Sequence, residues 1–438
     1  MSNPLSRRDF VGDTSKLAFG AMIVPRFVLG GPGYRAPSSK LNIACVGIGG
    51  MGMSNMMQML DENIVAVCDV DYPYVERALL SRTKPARGEA TPEALKLAEA
   101  YGKWIDQQRY VTLDRDSLDK TRTDLMSKAS RAKERIQEGI ALLATDAQAL
   151  RAFQLANQAM HVSALQMDGL REDRRYRDDR LPEWRPFQLA FVLMNLPSVA
   201  DASHKDRKLA ELIYFPTGGG KTEAYLGLIA FVLLLRRIRG QGTPHEGRGV
   251  AVLLRYTLRL LTLDQLGRAS TLICALDELR RRNPKELGDA RFTVGLWVGA
   301  SASANRLKDV HHELSDYTPG RKSSPFPLSS CPWCGEAIKI QNIKLVDLEG
   351  KPTKKNFARA AVYCDGSSCL YTEAKAPGLG LPVLFVDEQI YQEVPSFIVA
   401  TVDKFAMMPW RGDAGMLFGR ATHVDDQRAY GVMDKPSK

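Results

Sequence analysis

The run Pro216-Thr217-Gly218-Gly219-Gly220-Lys221-Thr222 holds the residues whose types and order point to the most definite chemistry. It follows an apolar stretch at 212–215, read as a strand, and opens a helical stretch at Glu223. Glycines at such a junction let the backbone wrap a phosphate with several N–H groups pointing inward, and the helix N-terminus adds its positive end. Lys221 can reach the β- and γ-phosphates, and the Thr222 hydroxyl can hold Mg²⁺. The spacing therefore predicts an ATP site at Thr217, Gly218, Gly219, Gly220, Lys221 and Thr222, with Lys221 and Thr222 in the catalytic roles.

A second constellation is Cys331-Pro332-Trp333-Cys334-Gly335 followed by Cys364-x4-Cys369. Glycine after the second cysteine leaves backbone N–H groups free to bond thiolates. Four sulfurs in two such turns predict a closed tetrahedral Zn²⁺ site that is structural rather than catalytic. Disulfides are the alternative for the same residues. The chain has seven cysteines, an odd number with one tight cluster, which does not fit a disulfide framework. Lys339, Lys344, Lys354 and Lys355 in this module are candidate DNA contacts.

The third constellation is Gly47-x-Gly49-x-x-Gly52 after an apolar strand, with Asp69 closing the next strand. In a dinucleotide-binding unit Gly47 makes the tight turn, Gly49 admits the pyrophosphate, Gly52 packs helix on strand, and Asp69 accepts from the ribose hydroxyls. NAD(P) is thus an alternative ligand.

These motifs need elements to hold them. From Trp184 onward apolar strands at 212–215, 249–254, 292–298, 382–386 and 397–402 alternate with helical runs, which predicts a parallel sheet with crossover helices. Residues 115–180 are charged, with Leu, Ile and Ala at three- and four-residue spacing, and read as long helices. The stretch 317–330, rich in Ser, Pro and Gly, marks an inserted module. The chain is 438 residues, 45% apolar and 25% charged, enough for two or three globular domains. Its 60 Lys+Arg against 50 Asp+Glu, a net +10, suits a polyanionic partner as readily as a general solubility charge. No apolar run reaches the roughly 18–20 residues that span a bilayer.

Several segments carry a resemblance to superfamily 2 helicases. The general phosphate-loop pattern has Gly where this chain has Phe215, and those helicases relax that position. Trp184-Arg185-Pro186-Phe187-Gln188 is similar to the segment in which their glutamine pairs with adenine, although it also reads as a plain helix N-terminus. Arg255-Tyr256-Thr257-Leu258-Arg259-Leu260, with Gln265 and Arg268 on the following helix, resembles motif Ia. Residues 398–405, containing Thr401 and Lys404, resemble motif Ib. The resemblance implies that Thr257, Arg259, Gln265, Thr401 and Lys404 contact the DNA backbone, which gives grip without sequence preference. Val383-Leu384-Phe385-Val386-Asp387-Glu388 looks locally like the strand that ends in hydrolytic carboxylates, but it precedes motif Ib and so reads as a structural turn. Thr422-His423-Val424-Asp425-Asp426-Gln427 has no apolar strand leading into its acids. That motif order leads us to expect a chain that stops before its hydrolytic carboxylates and second lobe, binding ATP but hydrolysing it poorly. Residues from about 105 to 438 resemble, more narrowly, the front half of the helicase subunit of DISARM-type phage-defence systems. That resemblance implies DNA as substrate and other defence subunits as partners.

Residues 1–104 resemble instead the start of a Gfo/Idh/MocA-type oxidoreductase. Val67-Cys68-Asp69-Val70-Asp71 fits, but no Glu-Lys-Pro segment, later acid or later histidine follows to supply the catalytic lysine and substrate domain. Ser6-Arg7-Arg8-Asp9-Phe10-Val11 resembles a twin-arginine export signal, although a disordered basic terminus fits it too. Export conflicts with the cytoplasmic setting expected of a helicase. The two resemblances meet near residues 102–107 and together predict a chimera or a non-functional fusion. The expected plan is α/β: a leader at 1–36, a partial Rossmann βαβ unit at 37–104 and a helical extension at 105–182. A RecA-like P-loop parallel sheet then spans 183–320, with a zinc ribbon inserted at 321–375 and the sheet continuing through 376–438.

Overall fold

The computed structural model describes strands at 42–46 and 63–68, and residues 92–111, 118–170, 182–213, 220–243, 246–256, 259–299, 303–318, 324–410, 412–420, 423–424 and 430–431. The chain divides into two units, Met1–Asp71 and Tyr72–Lys438. In the first, β1 (Asn42–Val46) and β2 (Asn63–Cys68) pair in parallel, from Asn42 opposite Asn63 to Val46 opposite Cys68. Parallel neighbours require a crossover between them. Gly47, Gly49, Gly52, Asp69 and the twin-arginine-like leader lie outside the described residues.

The second unit opens with helices. α1 (Pro92–Arg109) runs without a break through the junction expected near 102–107. α2 (Asp119–Thr145) and α3 (Ala147–Gly169) are separated by Asp146 alone. Its extended backbone ends one helix, and its carboxylate caps the next by accepting from the Gln148 and Ala149 N–H groups at 2.9 Å each. Arg239 pairs with the same carboxylate at 2.6 Å. Burial would raise the Asp146 carboxyl, but the Ala149 N–H and Arg239 outweigh it and hold it below its ordinary range.

Three- and four-residue spacing puts Ile136, Ile140 and Leu143 of α2 in the core, as periodicity predicts. α3 buries Ala149, Ala152, Ala156 and Ala159, small side chains that let α5 (Lys221–Gly240) approach closely. α4 (Pro186–Ala200) crosses α2 at Gly139, where a Cβ would lie 1.9 Å from the Leu193 carbonyl oxygen.

The remainder is an α/β layer. β3 (Val252–Tyr256), α6 (Arg259–Arg282), α7 (Pro284–Leu287), β4 (Val294–Trp297), α8 (Leu307–Ser315), β5 (Ile343–Val346), β6 (Arg359–Val362), β7 (Val383–Leu384), α9 (Asp387–Glu393), β8 (Phe397–Thr401) and α10 (Val402–Met407) follow in order. β9 (His423–Val424) and β10 (Tyr430–Gly431) form a short antiparallel pair. The main sheet is wholly parallel, ordered β3-β8-β4-β7, an arrangement compatible with a RecA-like domain. β8 reads Phe-Ile-Val-Ala-Thr and every residue is buried, as a central parallel strand covered on both faces requires. Ile398 and Ala400 face a cluster with Trp297, Ile390, Tyr391, Met416 and Leu417, and the alternate residues Phe397 and Val399 face the other way. β5 and β6 form an antiparallel hairpin inside the insertion.

The strand expected at 212–215 is absent over its described half: 211–213 have no regular structure, and Leu212 is 86% exposed. No described strand pairs with these residues, and an apolar run without a ladder partner does not form a strand. Among the described residues no helix is long and apolar enough to cross a membrane.

Candidate nucleotide site and metal centre

Of the predicted phosphate loop, residues 214–219 lie outside the described set, including Thr217, Gly218 and Gly219. Gly220 is described and sits at φ +86° and ψ 30°, the left-handed region, immediately before α5. A side chain there would be strained, and its Cβ would lie 2.7 Å from Gln188 Nε2. Lys221 and Thr222 are the first two residues of α5, at the positive end of the helix dipole.

Gln188 stands at a helix N-terminus, with both ends of its amide bonded within the fold. Its Oε1 accepts from the Arg185 N–H at 2.8 Å, capping α4, while its Nε2 donates to the Gly220 carbonyl at 2.7 Å. Only 4% of it is exposed. Trp184 holds the same segment against α5. Its Nε1 donates to Asn157 Oδ1 at 2.6 Å, and its ring occupies the space left by Gly227, where a Cβ would come within 2.4 Å of it.

Two polar bridges tie the first turns of α5 to β3 and α6. The Tyr225 hydroxyl lies 3.1 Å from Thr222 Oγ1, 2.7 Å from the Tyr256 hydroxyl and 2.9 Å from Gln265 Oε1. Arg268, one turn beyond Gln265, pairs with Glu223. Burial, reinforced by the Tyr225 contact, pushes the Tyr256 phenol well above its ordinary range, so it remains a proton donor at neutral pH. Tyr225 follows Thr222 by three residues on one helix face, and that spacing is its signal in the sequence.

The other predicted backbone contacts divide. Thr257 lies outside the described residues, and of Arg259 only its place as first residue of α6 is described. Thr401 is 5% exposed and Lys404 8%, and Lys404 Nζ pairs with Asp387 while lying 5.9 Å from the Trp297 ring centre. The structure therefore does not present Lys404 as an exposed phosphate contact. Asp387 opens α9, and Glu388 accepts from the Leu307 N–H at 2.8 Å. Both carboxylates of this pair are engaged within the fold, at the first turn of a helix where the sequence suggested a structural turn.

Cys331, Cys334, Cys364 and Cys369 converge, with all four sulfurs within 4.8 Å of one another. Cys331 and Cys369 are 3.8 Å apart and Cys334 and Cys364 3.3 Å. Tetrahedral bonds of about 2.3 Å place sulfurs about 3.8 Å apart, so these residues fit a metal ion of that kind. Gly366 N–H donates to Cys364 Sγ at 3.3 Å, and Gly335, at φ +80°, closes the first turn by donating its N–H to the Cys331 carbonyl at 2.9 Å. The Cys331 contact holds the Cys369 thiol below its ordinary range, while that contact together with burial pushes Cys331 up. Burial raises Cys364 to about 12.

The cluster is anchored to α6. The Thr271 hydroxyl donates to the Pro332 carbonyl at 3.0 Å, the Tyr371 hydroxyl donates to the Cys274 carbonyl at 3.2 Å, and the Arg281 guanidinium lies 5.3 Å over the Tyr371 ring. Lys344 pairs with Glu373 at 2.5 Å, whereas Lys339, Lys354 and Lys355 are exposed.

No family model matches the chain. Over 353 residues it is 34% identical to the DISARM protein DrmA of Bacillus paralicheniformis, a similarity covering 76% of this chain and 30% of that protein. The chain thus spans less than a third of that relative's length. Its similarity to DrmA supports a DISARM-type, helicase-like relationship for most of the chain.

Proposed function

We propose that the chain binds ATP at residues 216–222 and the backbone of DNA beside α6, as part of a helicase-type motor in a phage-defence system. The observation that carries this reading is the construction around Gly220. A glycine in the left-handed region starts a helix at Lys221-Thr222, Gln188 is bonded to its carbonyl, and Gln265 is tied to the same turn through Tyr225. A helix N-terminus preceded by glycines suits a phosphate chain, with Lys221 on the outer phosphates and Thr222 on Mg²⁺. The similarity to DrmA supports the phage-defence, helicase-type part of this reading.

Bound Mg²⁺ would offset phosphate charge. The protein's own part is to place Thr222 and Lys221 at the first turn and to brace that turn through Gln188. Gln265, with Arg259 and Thr257 before it, would donate to DNA phosphates. Buried Thr401 and Lys404 would take no part. The four cysteines would hold Zn²⁺ as a brace on α6, and other defence subunits would be partners. The oxidoreductase reading is not favoured, because the similarity found points to the helicase side.

The test is calorimetric titration of ATP with Mg²⁺ into the full chain and its Lys221→Ala variant. Loss of the lysine charge should weaken binding at least about tenfold, the scale of a charge-assisted contact worth roughly 1.5–3 kcal/mol. Equal affinity in a folded variant would overturn the assignment.

A further inference from the structure

We propose that the Tyr225 hydroxyl is the positioning group that couples the nucleotide site to the DNA-gripping face of α6. The inference rests on the functional reading above and deepens it.

The argument begins with what a phenol can do. One O–H donates one hydrogen bond, and the oxygen accepts from others. Three polar groups surround it at 2.7–3.1 Å: Thr222 Oγ1, the Tyr256 hydroxyl and Gln265 Oε1. Gln265 Oε1 is a carbonyl oxygen and can only accept, and the Tyr225 hydroxyl is placed as donor to both Gln265 Oε1 and Thr222 Oγ1. A phenol has one proton, so these two acceptors share it, while the Tyr256 hydroxyl can donate to the Tyr225 oxygen.

That sharing has two consequences. A cation held by Thr222 Oγ1 would compete for the oxygen that accepts from Tyr225, and so commit the phenol proton to Gln265. Gln265 is held through its oxygen, which fixes the direction of its amide N–H₂, the end that could donate to a phosphate; that group now reaches Asp264 Oδ2 at 3.0 Å. A change at the Thr222 hydroxyl on nucleotide binding is felt two bonds later at Gln265. The four residues come from α5, β3 and α6, and the Glu223–Arg268 pair joins α5 to α6 beside them. The two helices are thus linked twice over one turn, and neither link includes the lysine that would hold the phosphates.

The experiment is fluorescence anisotropy of a labelled DNA oligonucleotide with the full chain, with and without saturating ATP and Mg²⁺. Couplings between sites commonly amount to roughly 5–150-fold in affinity. The parent should show an ATP-dependent change in DNA affinity of at least about fivefold. Tyr225→Phe keeps the ring and removes the hydroxyl, and it should reduce that factor to under about twofold while each ligand still binds alone. Gln265→Leu should weaken DNA binding, and adding Tyr225→Phe to it should change the coupling no further. An unchanged coupling factor in folded Tyr225→Phe, or a parent that binds both ligands independently, would overturn the inference while leaving the functional reading intact. A parent that binds no ATP would overturn both. Thermal unfolding of each variant separates these outcomes from loss of fold.

Discussion

Replacing Lys404 by alanine separates a structural role for this residue from a DNA-contact role. In the fold Lys404 Nζ pairs with Asp387, and the two side chains are 10% and 3% exposed. Removing one partner of a buried ion pair leaves a charge in a low-dielectric site and typically costs about 3–5 kcal/mol. For a unit the size of Tyr72–Lys438, at about 2.1 cal/mol/K per residue, that corresponds to a fall in melting temperature of about 4–7 °C. Urea unfolding followed by circular dichroism measures the first quantity and calorimetry the second. Pairing Lys404→Met with Asp387→Asn removes both charges at similar volume and should recover most of the loss. A solvent-facing phosphate contact behaves differently. Its removal leaves stability within about 0.5 kcal/mol and lowers the salt slope of DNA binding by about one. Observing that second pattern for Lys404→Ala would refute the buried-pair argument, and with it the proposal that Lys404 takes no part in DNA binding.

Two other predictions concern the metal centre and the acid limb of stability. Metal analysis of the purified chain should find about one Zn²⁺ per molecule, and Cys369→Ser should lower that content and expose residues 331–369 to limited proteolysis, because a four-sulfur site tolerates no missing ligand. Asp277 is fully buried with Arg280 at 2.8 Å, Arg281 at 3.3 Å and Arg291 at 3.5 Å. Burial alone would raise its carboxyl, but Arg291 and Arg280 outweigh it and hold the folded value below the ordinary 3.8. Its contribution is therefore complete above about pH 4 and is lost as pH falls through the lower folded value. Asp277→Asn should be less stable than the parent at pH 7 and lose less stability between pH 5 and 3, measured by urea unfolding across that range.

Local patterns carried part of this protein. The strands at 252–256, 294–297, 383–384 and 397–401 fall within or beside the apolar runs that announced them, and for the two inner strands, 294–297 and 397–401, the reason is that a central parallel strand must be apolar on both faces. The long helices of 119–169 follow from Leu, Ile and Ala at helical spacing. The cysteine turns were legible because the spacing within each turn and the glycine after Cys334 are local requirements of thiolate geometry. What the chain order could not show is which polar groups become buried and whom they meet. Gln188 meets Gly220 across 32 residues, Tyr225 meets Gln265 across 40, and Lys404 meets Asp387 across 17. A lysine after an apolar strand reads the same whether it faces solvent or an aspartate. Only the packing of α9 against β8 and β4 takes water away from Lys404, and with the water goes the freedom to bind anything but its partner. Residue types and spacing thus defined what chemistry the chain carries, and the tertiary structure decided which of those groups stand in a site and which hold the fold together.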